Sequence, residues 1–394
     1  VIPAIAIIAN APAPYRLALH RRLIAGVPEV KLFTVFSHDQ PEKEQPWDLT
    51  GTEDINPVRF GIGESCAQAP KPEFAKHEWR KGGRMIRWFK EQNIRAVFVC
   101  GYNDPARLRV IWWCRRNRVP VFIVSDSNIH GERARGWRKI VKHALVRSII
   151  KLCTGFLPCG TSGAAYFKKY GARDEQIYFL PYEPDYSIIR GVTEDKKREV
   201  AAKFGLDPTR RRIMFIGRLV EAKRPDLALD GFGKIAAEQT NWDLLMVGDG
   251  PLRASLENGT PTDLRGRVTW TGFVSDPSVV AALYHLSDVF LLPSEYEPWG
   301  VVVNEAAAVP LAMCVSHVVG AAPELVKDGE NGRIFTSGDA AGLERALRET
   351  TDDQKIDAYR RASTTVLEGW RRGTDPAESL RRALREAGVL TNSA

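Results

Sequence analysis

The sequence predicts an α/β protein built as two Rossmann-like domains in tandem, facing each other across a cleft. Three observations carry this expectation. Short apolar runs alternate with helix-length runs, the pattern of a parallel sheet with crossover helices. The alternation pauses at the charged stretch 194–203 and restarts at residue 212. The chain of 394 residues is also long enough for two ordinary domains, each with its own core. The run Pro181-Tyr182-Glu183-Pro184-Asp185 reads as a linker. It divides the chain into domains at 1–185 and 186–370, with a terminal amphipathic helix in 371–394 that packs back on the first domain.

In the first domain the apolar runs 5–9, 30–36, 96–100, 119–124, 155–158 and 177–180 predict strands. Helices are expected from the Pro-rich loop 11–16 through Ile24, and over 74–92, 106–117, 134–151 and 162–170. Residues 39–72 are rich in Pro, Gly and charge with little period, which predicts a long surface loop or a short hairpin. In the second domain strands are expected at 212–216, 243–247, 268–271, 289–292 and 312–316. Helices follow at 225–237, 252–257, 277–286 and 377–387. Each early strand ends on a polar or glycine residue: Asn10, Gly101 and Ser125 in the first domain, Gly217, Gly248 and Gly272 in the second. Ligands of open α/β sheets bind beyond those carboxyl ends. No G-x-G-x-x-G follows the first strand, which argues against a nicotinamide-binding domain.

Composition describes a soluble globular protein, with 44% hydrophobic and 26% charged residues. No apolar run approaches the roughly 18 residues of a membrane span. The opening VIPAIAIIAN lacks the length and basic flank of a signal peptide and reads as a first strand. Cys66, Cys100, Cys114, Cys153, Cys159 and Cys314 form no C-x-x-C pair or metal spacing. Reduced thiols in a cytoplasmic protein are the expectation. The net charge of +8 is uneven: residues 1–185 hold 29 Lys and Arg against 18 Asp and Glu, and the remainder 27 against 30. The basic residues gather on two helices. Residues 79–90 interleave Trp79, Trp88 and Phe89 with Arg80, Lys81, Arg84, Arg87 and Lys90. Residues 134–151 carry Trp137 with Arg135, Arg138, Lys139, Lys142 and Arg147. An anionic membrane surface is the partner this distribution suggests, and Arg84, Arg87, Arg138 and Lys142 are the cations expected to face it. No nucleic-acid reading motif is present.

The chain is organised around residues 291–305, LLPSEYEPWGVVVNE. An apolar strand stops at Pro293, Gly300 opens a helix, and Glu297 and Glu305 lie eight residues apart on either side of that start. Unpaired N–H groups at a helix start attract anions. Buried carboxylates need hydroxyl or cationic partners, and a phosphate flanked by sugar hydroxyls supplies the chemistry for both features. After the strand ending at Gly217, Arg218 and Lys223 provide two cations of the kind that offset charge on a leaving diphosphate.

Arg218 with Lys223, Gly248-Asp249-Gly250-Pro251, Gly272-Phe273, Glu297 with Glu305, and Gly320-Ala321-Ala322-Pro323-Glu324-Leu325-Val326 resemble the C-terminal domain of retaining GT-B glycosyltransferases of family four, the glycosyl transferases group one. The likeness covers about residues 212–335. It extends more weakly to the first half through 11–16, Gly101-Tyr102 and 125–128. The resemblance implies a UDP-sugar or GDP-sugar donor held by the second domain, with Gly217, Arg218, Lys223 and Gly248 around the diphosphate. Backbone N–H groups after Trp299, at Gly300 and Val301, would meet the distal phosphate. Glu305 would accept from ribose hydroxyls, Glu297 from hydroxyls of the transferred sugar, and Val274 would lie at the base. Arg218, Lys223, Glu297 and Asp126 are the residues assigned to catalysis. The resemblance implies a saccharide or polyprenyl-linked acceptor on the first domain, at Tyr15, Arg16, Tyr102 and His130, and neither cofactor nor metal. The acceptor-side histidine frequent in the family has no clear match here; Asp126 and His130 are the candidates for its place. Pro12, Pro14, Tyr15 and Arg16 replace a frequent glycine pair after the first strand. Pro310 and Ala312 replace a Gly and Pro after the 301 helix. A nucleotide-sugar epimerase or hydrolase, and a non-catalytic nucleotide-sugar sensor, are the competing readings.

Overall fold

A computed structural model describes residues 2–38, 51–67, 69, 71–132 and 135–391. The chain divides into two compact units, Val1–Glu183 with Thr374–Ala394, and Pro184–Gly373. Among the described residues, no helix is long and apolar enough to cross a membrane.

The first unit holds β1 (Ala4–Ala9), β2 (Lys31–Phe36), β3 (Pro57–Arg59), β4 (Ile94–Cys100), β5 (Val121–Ser125) and β6 (Gly155–Pro158). They form one sheet in the order β3-β2-β1-β4-β5-β6, parallel throughout. All six residues of β1 are buried, as a parallel strand covered on both faces requires. One face packs Ile8, Val35, Val97 and Ile123 against Met85, Phe89, Val110 and Ile111 of the helices Ala75–Glu91 and Pro105–Arg116. The other packs Ala9 and Phe36 on Leu17 of the helix Pro14–Gly26. The helix Pro105–Arg116 starts where Asp104 accepts the Arg107 N–H at 2.9 Å and Pro105 fills the first turn. The C-terminal helix Pro376–Glu386 lies in this unit. Its Arg381 reaches Glu29 at 2.7 Å, and Glu386 accepts the Tyr178 hydroxyl at 2.6 Å.

The second unit repeats the architecture with β7 (Arg211–Ile216), β8 (Trp242–Val247), β9 (Val268–Gly272), β10 (Val289–Leu292), β11 (Ala312–Ser316) and β12 (Gly332–Phe335). The order is β12-β11-β10-β7-β8-β9, again all parallel. Ile213, Phe215, Leu244 and Leu291 pack on Phe232, Leu343 and Leu347 of the helices Pro225–Ile235 and Ala340–Thr350.

Two expectations are corrected. Within 39–72, the described part contains a 3-10 turn at Glu53–Ile55 and the edge strand β3, which pairs with β2 through Thr34, Val35 and Phe36. The 39–50 part of the expected loop lies outside the described residues. Residues 177–180 form no strand. They run extended beside β6 through a single bridge, Phe156 to Ile177, and the Tyr178 and Leu180 N–H groups donate to Phe156 and Pro158. Pro181 follows immediately and has no N–H to continue a ladder.

Candidate functional site

In each sheet the strand order reverses at one point, between β1 and β4 in the first unit and between β7 and β10 in the second. Chains leaving the carboxyl ends of such a pair diverge and open a crevice. In the second unit the loop after β7 carries Gly217, Arg218 and Lys223, and the loop after β10 carries Glu297, Trp299 and Gly300. The two loops are tied together by backbone, because Glu295 N–H donates to the Ala222 carbonyl at 2.9 Å. Arg224 adds side-chain bonds to Asp226 and Glu295. This places the Lys223 ammonium on Glu297, whose carboxylate is buried and accepts from it directly.

The neighbouring loops pack backbone on backbone. A Cβ at Gly248 would overlap the Gly217 carbonyl oxygen, so glycine is required for the β7 and β8 turns to touch. Leu219 N–H then donates to Asp249 O at 2.9 Å. On the other side Glu297 bridges Val319, Gly320 N–H donates to Glu297 O at 3.0 Å, and Ala321 N–H to Trp299 O at 2.8 Å. A Cβ at Gly320 would overlap the Pro298 carbonyl oxygen. Gly320→Ala is therefore expected to push the 297–299 backbone off the β11 loop. Overpacking of this kind costs about 1–3 kcal/mol. Urea unfolding and nucleotide titration of the variant should both show the change, and unaltered values in both would contradict this placement.

Gly300, with φ of +89°, opens the short helix Val301–Ala307. Trp299 is buried, and its indole N–H donates to Asn304 Oδ1 at 3.1 Å. Glu305 accepts the Tyr284 hydroxyl at 2.7 Å. Burial raises its carboxyl above the usual range, against the Tyr284 hydrogen bond, which lowers it. Arg218 is exposed on its turn, and Val274 is partly exposed just beyond β9, next to the exposed ring of Phe273. Lys223 and Glu297 are thus in contact and Gly217 touches Gly248, while Glu305 is held separately by Tyr284.

In the first unit, Tyr15 and Arg16 belong to the first turn of the helix Pro14–Gly26 rather than to a loop. Proline at the start supplies the fixed φ of that turn. Arg16 donates to Ala11 O at 2.9 Å and lies over the rings of Tyr15 and Tyr182, which pack edge to face at 4.8 Å. Burial raises the Tyr15 phenol, Arg16 opposes the rise, and the charge of Asp126 adds to it. Asp126 therefore shares this cluster. Tyr102 pairs its hydroxyl with Tyr166 at 2.7 Å. His130 is exposed on the turn Ile129–Gly131, where its backbone N–H donates to Asn128 Oδ1 at 3.0 Å.

Two buried networks at the same sheet edge were not expected. Arg107, fully enclosed, bonds Asp104, Asn10 and Ser37 and so ties together the ends of β1, β2 and β4. Beside it Lys81, expected on a solvated basic face, is wholly buried. Its ammonium lies 2.8 Å from Glu78, 2.5 Å from Glu64 and 3.2 Å from His38 Nε2. His38, Glu64 and Glu78 have the grouping of a metal site, but the ammonium already supplies the cation among them. Lys142 is also corrected. It is partly buried and bonds Glu132 at 2.8 Å, which removes it from the exposed basic set.

Residues 196–365 match the family described as glycosyl transferases group 1. The chain is 26% identical over 183 residues to alpha-D-kanosaminyltransferase of Streptomyces kanamyceticus, covering 46% of this chain and 47% of that protein. It is 29% identical over 205 residues to N-acetyl-alpha-D-glucosaminyl L-malate synthase of Bacillus anthracis, covering 51% and 49%. The chain spans about half the length of these curated relatives. The crystal structure of Anabaena HepE in complex with UDP matches with a TM-score of 0.72 at 14% identity, over 98% of this chain and 100% of that one. That is a likeness of fold, a GT-B arrangement of two parallel six-stranded sheets with interleaved helices. Residues 196–365, which carry Arg218, Lys223, Glu297 and Glu305, are thus the part of the chain that matches the glycosyl transferases group 1 family.

Proposed function

We propose that the protein is a retaining, metal-independent glycosyltransferase. It moves a sugar from a UDP- or GDP-sugar to a lipid-linked or polysaccharide acceptor. The observation that carries this reading is the Lys223–Glu297 contact at the switch point of the second sheet. A cation and an acid held side by side at that edge are matched to a sugar diphosphate. Lys223 would exchange Glu297 for a phosphate oxygen, and Glu297 would then accept from hydroxyls of the transferred sugar. Arg218 would add a second cation, Glu305 would take the ribose hydroxyls, and Val274 would lie at the base. Charge that grows on the leaving diphosphate is met by these fixed groups, the role a divalent ion plays in other transferases. The departing phosphate would be the base for the acceptor hydroxyl on the same face, which retains configuration. The acceptor would be received by the first unit, where Tyr15, Arg16, Tyr102 and Asp126 stand at the sheet's carboxyl edge. HepE binding UDP and the transferase names of the relatives support this assignment.

A panel of UDP- and GDP-sugars, screened by thermal shift and then incubated with candidate acceptors, tests it. The expected result is acceptor-dependent release of nucleoside diphosphate with the sugar recovered on the acceptor. An isomerised donor with its diphosphate intact, or free sugar whatever the acceptor, would favour the epimerase or hydrolase reading. Activity should be complete in excess chelator; dependence on Mg²⁺ or Mn²⁺ would contradict metal independence.

A further inference from the structure

The helix Trp137–Ile150 is built unlike its neighbours. Its last turns bury Val146, Ile149 and Ile150 in the core of the first unit. Its first nine residues instead turn apolar side chains to solvent: Trp137 is 69% exposed, Ile140 73%, Val141 55% and Leu145 58%. The spacing i, i+3, i+4, i+8 puts these four on a single stripe. Scattered exposed apolar residues are ordinary, but a contiguous stripe marks a surface that meets something.

The charge around the stripe identifies the partner. The helix contains Arg138, Lys139, Lys142 and Arg147 and no acidic residue, with Arg135 before it and Lys151 after it. Lys142 bonds Glu132, whereas Arg135, Arg138, Lys139, Arg147 and Lys151 are exposed. A second copy of this chain, meeting the same stripe across a two-fold axis, would bring these cations against their own images. An anionic bilayer satisfies both features, since the acyl boundary accepts the Trp, Ile, Val and Leu side chains while lipid phosphates face the guanidinium and ammonium groups. Elsewhere in the first unit the helix Pro105–Arg116 exposes Trp112 with the Arg116 guanidinium over its ring, a second aromatic and basic pair. The helix Ala75–Glu91 contributes less than its sequence suggests, because Lys81 is buried and Arg84 donates to the Phe60 carbonyl.

We infer that residues 137–145 of the helix Trp137–Ile150 insert their apolar stripe into an anionic membrane interface and hold the first unit on it. This rests on the exposed stripe and its flanking charge, independently of the transferase reading. The test is cosedimentation of the whole protein with phosphatidylcholine vesicles, with and without phosphatidylglycerol, at low and high salt. Wild type should bind only the phosphatidylglycerol vesicles, and less at high salt. Ile140→Ser with Leu145→Ser leaves net charge untouched and alters only exposed side chains, so its thermal midpoint should match wild type. Its partitioning should nevertheless fall by at least about tenfold, because two inserted aliphatic side chains are lost. Three results would overturn the inference: wild type remaining in the supernatant at low salt, the double variant binding as wild type does, or a wild-type dimer that the double variant converts to monomer.

Discussion

Lys223→Ala is expected to lower turnover by about 10²–10³-fold, the loss typical of removing one fixed group that faces charge developed in the transition state. Nucleoside monophosphate affinity should change little, because in the proposed site the ammonium would face the diphosphate and not the nucleoside. The variant has a second effect. Glu297 is buried and loses the ammonium it contacts, so stability should fall as well. Pairing Lys223→Ala with Glu297→Gln separates the two effects. The double variant should recover much of the thermal midpoint and none of the turnover, since the acid no longer needs a cation but the diphosphate still does. Equal loss of monophosphate affinity and turnover would place Lys223 outside the role argued here.

The second large effect is on stability. Lys81→Met should destabilise the first unit by about 3–5 kcal/mol, the cost of leaving a buried charge without its partner. In wild type, burial raises the Glu64 and Glu78 carboxyls, but Lys81 with His77 at Glu64, and His38 with Lys81 at Glu78, outweigh it and hold both below the usual range. Depressed carboxyls contribute stability above their unfolded pKa and lose it as pH falls through the folded one. In Lys81→Met burial acts with less opposition, so the folded carboxyls lie higher and contribute less stability above their unfolded pKa. The deficit against wild type should therefore be larger at about pH 7 than at about pH 4.5 by urea unfolding. A deficit below about 1 kcal/mol, or one that grows on acidification, would contradict this account of the cluster.

Much of the fold and part of the site were legible in the sequence. The strand ends at Gly217, Gly248, Gly272 and Pro293 were readable because glycine and proline punctuate the chain where strands stop. They also put Lys223 and Glu297 on loops at the same sheet edge. The strand order β12-β11-β10-β7-β8-β9, which makes β7 and β10 neighbours, is a long-range fact that local pattern does not encode. Lys81 shows a different failure. Charge composition placed it in solvent, yet Glu78, Lys81, Gly82, Met85 and Phe89 are all buried on one helix face. Reading Glu78 and Lys81 on the stripe of Met85 and Phe89 would have turned both inward. Strand β3 was missed because three residues on a sheet edge carry almost no periodic signal. The apolar stripe of the helix Trp137–Ile150 was hidden for the opposite reason. Its apolar spacing is ordinary for a helix that packs on a core, and only the structure shows which of those residues found no core to cover them.

The central claim is that a nucleoside diphosphate sugar is held at the switch point of the second sheet. A co-crystal of the whole protein with the nucleoside diphosphate selected by the donor screen tests this most directly. The expected density places the diphosphate against Arg218 and Lys223, with the Lys223 ammonium withdrawn from Glu297 and the ribose hydroxyls on Glu305. A nucleotide bound elsewhere on the chain, or bound there with the Lys223–Glu297 contact intact and the phosphates turned away, would contradict it.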